Sequence, residues 1–177
     1  MPKKIYTTRA KSRVAAKYRM MSYGFVSGTM NKEGVGVRFY ALESGECAAP
    51  FKLTRFHEGH KMLAHGGVTA AILDETMGYA NHVYEFVHDE PNCFVFTGTA
   101  TYEYLVPVPI EKDMLAFARV EEEEGRVRHI YGEIIDENGL IYVRSKAVYV
   151  TAKALEDNNV HIDVGMIPLE EGDPEEM

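Results

Sequence analysis

Apolar and polar residues alternate from Gly34 to Leu42, with Val35, Val37, Phe39 and Ala41 set against Gly36, Arg38 and Tyr40. A period of two belongs to a strand with one buried face, so this stretch is expected to open the domain as a strand. Ala48 to Phe56 reads as its hairpin partner across Glu43-Ser44-Gly45-Glu46, and the polar His57-Glu58-Gly59-His60-Lys61 reads as a loop. The pattern changes at Gly67. Val68 to Val87 contains no proline and only one glycine, Gly78, and its apolar residues cover most of the circumference through the first turns. That is a helix buried on more than one side. Strand signals then return at Cys93 to Val106, Asp113 to Glu122, Arg126 to Ile135 and Leu140 to Thr151. Pro107 and Pro109 end the first of these, and Glu124-Gly125 and Asp136-Glu137-Asn138-Gly139 supply hairpin turns. Two strands, one long helix and four strands in succession predict an α+β fold, an antiparallel sheet wrapped around a single apolar helix.

The chain has 177 residues, 46% of them hydrophobic, enough for one sizeable core and short for two. We therefore expect one domain over residues 34–151, with a basic extension over 1–33 and an acidic one over 152–177. Lys3, Lys4, Arg9, Lys11, Arg13, Lys17 and Arg19 all precede the first acidic residue, Glu33, whereas Glu170, Glu171, Asp173, Glu175 and Glu176 crowd the end. An acid-free basic start fits a transit segment or a phosphate-binding arm, but charge runs are usually solvated faces, and a solvated helix is the reading taken. The net charge of −8 argues against a nucleic-acid binder. Cys47 and Cys93 form no CxxC pair and nothing near the start reads as a secretory signal, which leads to the expectation of a reducing, cytoplasmic setting. No apolar run reaches the roughly 20 residues needed to span a bilayer.

Chemistry concentrates in His65-Gly66-Gly67-Val68-Thr69-Ala70-Ala71-Ile72-Leu73-Asp74-Glu75-Thr76-Met77-Gly78. Asp74 is a carboxylate in an otherwise apolar helical run, and such a group is costly to bury unless paired or put to use. Ala70, Ala71 and Gly78 at helical spacing would leave free volume beside it. Glu75 lies about 100° around the helix, so the two acids are not expected to form a dyad. Gly66 and Gly67 would let a ligand approach unpaired N–H groups at the helix start, where the dipole favours negative charge. Together these are the outline of an acyl-transfer site: donors for the developing oxyanion and a carboxylate to attack or to activate water. A tight turn into the helix and an ion pair in a dimer interface account for the same residues, so both readings stand on these residues alone.

His65-Gly66-Gly67 followed by Leu73-Asp74-Glu75 and Gly78, preceded by His57-Glu58-Gly59 and followed by the strand Phe96 to Pro107, resembles the PaaI-type branch of the hot-dog thioesterases over about residues 34–151. The resemblance implies a hot-dog fold and hydrolysis of a small or medium acyl-CoA, aliphatic or aryl, by a homodimer or homotetramer with active sites at the subunit interface. It makes Asp74 the nucleophile or general base and gives Gly66 the N–H that polarises the thioester carbonyl. Thr97 would position the water, reaching the site from the partner subunit. Gly67 would lie against the substrate, and His65 would orient the site. No cofactor is implied, since CoA is part of the substrate.

Many members of that family carry Asn or Gln where this chain has Gly59, so a second oxyanion donor must come from elsewhere. His57 and His60 are the substitutes, and exposed loop histidines are the alternative. A metal bound by His57, His60 and His65 is not expected, because their spacing matches no helical zinc motif and no cysteine assists. Arg126 and Arg128 on one strand, and Arg144 and Lys146 on one face of the last, are candidates to hold the phosphates of CoA or are ordinary solvent-face charges. Two other classes stand beside this one: a non-catalytic acyl-CoA-binding module, and a dehydratase, whose His-Phe-Pro-Gly signature is missing.

Overall fold

The computed structural model describes residues 14–20, 23–90, 93–151 and 166–168. The described elements are β1 (Val14–Met20), β2 (Phe39–Leu42), β3 (Cys47–Lys52), a 3-10 turn (Arg55–His57), β4 (Glu58–His60), β5 (Leu63–Ala64) and α1 (Gly66–Val87), then β6 (Val95–Tyr104), β7 (Asp113–Glu124), β8 (Val127–Ile135), β9 (Ile141–Thr151) and β10 (Met166–Pro168). Eight strands form one sheet in the order β10-β1-β2-β3-β7-β8-β9-β6, every described pairing antiparallel, and β4 and β5 form a separate small ribbon. The sheet wraps α1, as the alternation of patterns predicts. None of the described helices is long and apolar enough to cross a membrane.

Ile72, Leu73, Met77, Ala80 and Val83 of α1 are fully buried against the sheet. Burying a side chain of the larger kinds stabilises the fold by roughly 1.5–3 kcal/mol each. The helix can lie this close because β8 carries Gly132 beneath it: a Cβ there would stand 3.0 Å from Met77 Cγ and 3.3 Å from Leu73 Cδ2.

Three boundaries differ from expectation. The alternating stretch from Gly34 is strand only over Phe39–Leu42. Its first half is extended chain that bonds to a preceding turn segment, Val35 N to Phe25 O and Val37 N to Val26 O. Val26 and Val37 are both buried there, so the period of two marks one-sided burial without a sheet partner. Residues 57–61, read as a loop, contain β4, paired with β5. The domain also reaches past both limits of 34–151, since β1 pairs with β2 and β10 with β1. Residues 14–20 are thus strand where a solvated helix was expected. The rest of the basic start, residues 1–13, and the acidic run beyond Pro168 lie outside the described residues.

Candidate active site

Asp74 lies half-buried on α1, facing two sheet hydroxyls. Thr97 Oγ1 donates to Asp74 Oδ1 at 2.9 Å, and the Tyr149 hydroxyl lies 3.0 Å from the same Oδ1 and 2.5 Å from the Asp74 carbonyl oxygen. No described residue hydrogen-bonds Oδ2. Thr97 meets Asp74 of its own chain. Its direction is set by a bulge in β6, where the pairing with β9 shifts between Thr97 and Thr99. Thr97 opposite Tyr149, and then Ala100, Tyr102 and Tyr104 opposite Ala147, Ser145 and Val143, all face the helix because the bulge changes the phase of the strand. Burial, then the nearness of Asp74, pushes the Tyr149 hydroxyl upward. The same two causes, with Tyr104 adding to them, push Tyr102 up to about 12. Both phenols therefore stay protonated beside the carboxylate.

A cavity of about 300 Å³ opens beside Asp74, lined by Gly24, Glu75, Gly78, Tyr79, His82, Phe94, Val95, Thr97 and Tyr149. Of the small residues expected to leave room, Gly78 lines it and Ala70 and Ala71 do not. Glu75 does line it. The helical angle keeps the two acids out of hydrogen-bonding contact, but the cavity is wide enough to reach both. The Ser27 hydroxyl donates to Glu75 Oε1. Burial, with Asp74 adding to it, holds the Glu75 carboxyl above its ordinary value, although the Ser27 hydroxyl and N–H pull the other way. Tyr149, Ser27 and the cavity role of Glu75 were not read from the sequence. For Tyr149 the available signal was its register with Ser145 and Ala147 on the inward face of β9.

The helix start is built separately. His65 is the N-cap, and its Nδ1 accepts the Gly67 N–H at 3.0 Å, so Gly67 donates within the cap. The Gly66 N–H has no partner among the described residues, while the Gly66 carbonyl accepts from Thr69 Oγ1 at 2.8 Å and from the Tyr104 hydroxyl at 3.1 Å. His65 N donates to His57 O at 2.8 Å, tying the 3-10 turn to the cap. Gly59 has a packing reason: a Cβ there would stand 2.7 Å from His65 Cα, so the amide residue common at that place has no room. His57 Nδ1 accepts the Thr54 N–H at 3.1 Å, and His60 is exposed on β4. Eight residues of helix separate Gly66 from Asp74, about 12 Å. Within one chain the donor and the carboxylate do not meet.

The basic residues lie elsewhere. Arg128, expected to meet an anionic ligand, is 3% exposed and already ringed by carboxylates: Nη1 is 2.7 Å from Glu85 Oε1, Nε is 3.0 Å from Glu123 Oε2 and Nη2 is 3.0 Å from Glu90 Oε2. Its charge is spent inside the fold. Arg144 and Lys146 do share a face, as expected, but it is the outer face of the sheet, opposite α1 and the cavity. Arg144 is paired there with Glu103 at 2.6 Å, and Lys146 lines a surface groove with Glu121 and Glu122. Neither is brought to Asp74.

Residues 63–142 match the sequence profile of the thioesterase superfamily. The fold is the hot-dog fold. The solved structures agree on the fold. A thioesterase superfamily protein shares 23% identity at a TM-score of 0.66, over 72% of this chain and 60% of that one. The present chain thus spans less than two thirds of that relative. The PaaI protein of the E. coli phenylacetic acid degradation operon shares 14% identity at a TM-score of 0.58, over 66% of this chain and 80% of that one. A hypothetical thioesterase from Streptococcus pneumoniae, solved with coenzyme A, shares 12% identity at 0.54, over 60% of this chain and 81% of that one. No curated protein matches the sequence.

Proposed function

We propose that the protein hydrolyses the thioester of a small or medium acyl-CoA in a site shared by two copies of the chain. The observation that carries this is Asp74 lining the cavity, with Oδ1 fixed by Thr97 and Tyr149 and Oδ2 left to attack the carbonyl or to take a proton from water. The missing oxyanion donor follows from the sheet edge. Among the described strands β6 pairs only with β9, and its other edge is ten residues long without a proline. Such an edge is a template for another strand. Near one end of β6 Thr97 meets Asp74, and at the other Tyr104 meets Gly66. Two copies pairing antiparallel about an axis near Ala100 and Thr101 would set the Asp74 end of one chain beside the Gly66 end of the other. The free Gly66 N–H at the positive end of that helix would then stabilise the charge developing on the thioester oxygen.

Release of free CoA thiol across acyl-CoAs of graded length and aromaticity tests the reading. Asp74→Asn is expected to lower kcat by about 10²–10⁴-fold, the range for a lost general base. Thr97→Ala should lower kcat about tenfold with KM little changed. Binding of acyl-CoA without thiol release from any of them would leave a binding module and end the enzyme reading.

A further inference from the structure

The cavity beside Asp74 contains a second acid that hydrolysis does not use. Glu75 lines it next to apolar Phe94, Val95 and Tyr79, and its Oε1 is taken by the hydroxyl of Ser27, itself 5% exposed. A carboxyl in such a wall is unfavourable unless its polar atoms are matched, and the donors it has here, the Ser27 hydroxyl and N–H, both come from one residue. At about 300 Å³ the cavity equals roughly ten water volumes, room for an acyl group and far too little for the nucleotide part of CoA. What reaches Glu75 is therefore the acyl portion. Resting on the thioesterase reading, we propose that Glu75 is the specificity-determining residue of this pocket and hydrogen-bonds a hydroxyl carried by the acyl group. Burial and the adjacent Asp74 shift the Glu75 carboxyl toward its neutral form against the pull of the Ser27 donors, and in either form a carboxyl lining the cavity can share a hydrogen bond with a hydroxyl. A neutral acid also spares the pocket two like charges side by side. For the same reason Asp74 disfavours an acyl group ending in a carboxylate.

The test compares kcat/KM for octanoyl-CoA and a phenyl-terminated acyl-CoA with their singly hydroxylated counterparts, the hydroxyl moved along the chain and around the ring. For at least one position the wild type should prefer the hydroxylated substrate about tenfold, the worth of one well-made neutral hydrogen bond. Glu75→Met should bring that ratio to near one, and Glu75→Leu serves if Met fails to fold. Glu75→Gln, which still donates and accepts, should keep most of it. Absence of any such preference in the wild type, or a preference that survives Glu75→Met or Glu75→Leu, overturns the proposal. Should the wild type hydrolyse none of the substrates, the thioesterase reading fails by itself. The same ratios, taken as Kd by calorimetry on non-hydrolysable thioether analogues, then decide the role of Glu75.

Discussion

Among the described residues, Asp74 is held by hydroxyls and by no cation. Two donors on Oδ1 fix the rotamer without neutralising the charge, which suits a group that must act as base or nucleophile. Tyr149→Phe removes one donor while keeping the ring, 2% exposed, in its place. It is expected to lower kcat about tenfold with KM within about twofold, because the carboxylate loses orientation and the pocket keeps its shape. Steady-state kinetics on the best acyl-CoA, with a thermal melt to confirm folding, checks this. Asp74 was legible because a charge in an apolar helical run stands out by itself. Tyr149 was not, since alternation along β9 tells which face a residue takes and not which helix residue it meets. Arg128 misled for a related reason: sequence shows a positive charge and hides the three carboxylates that surround it.

At the scale of elements, the last turns of α1 are fastened to the sheet by charge. Glu85 on the helix, Glu123 on β7 and Glu90 after the helix converge on Arg128 of β8, and Glu85 Oε2 also lies 3.3 Å from His82 Nδ1 and accepts the Cys93 N–H at 3.2 Å. His82 and the segment after Cys93 line the cavity, so this cluster holds the cavity's far wall. Arg128→Met would leave Glu85, 1% exposed, without its cation. Loss of one partner of a buried pair costs about 3–5 kcal/mol, and chemical denaturation should show a shift of that size. The hairpins were legible from their turns: Asp136 Oδ1 takes the N–H groups of Asn138 at 2.9 Å and Leu140 at 3.1 Å, which is why Asp-Glu-Asn-Gly reads as a turn. The stretch before Phe39 was misread because packing on a core imposes the same alternation as a sheet does.

For the whole molecule, the distance of about 12 Å along α1 supports the proposal that one folded chain holds two halves of different sites. Mixing two inactive variants tests this directly. When Asp74→Asn and Gly66→Pro chains are unfolded and refolded together, half of the pairs will contain one site with both groups intact. Activity should return to about a quarter of the wild-type level, whereas either variant alone stays inactive. No recovery despite mixed pairs by native mass spectrometry would place each site within a single chain. The family resemblance already implies a site at a subunit interface, whereas which strand ends would meet there is not legible, because a sequence carries no direct record of what an open strand edge meets.

The bulge at Gly98 gives β6 two phases. Val95 and Thr97 point to the helix on one side of it, and Ala100, Tyr102 and Tyr104 on the other, so odd positions are internal before the break and even ones after it. A saturation scan across residues 95–104, scored by activity, should therefore show sensitivity at every second position with the rhythm inverting at Gly98. Deleting that one glycine would leave Thr97 and Ala100 two positions apart and both still on the helix side, so activity should survive its loss, where loss of a residue from a regular stretch of the strand would turn side chains to the wrong face.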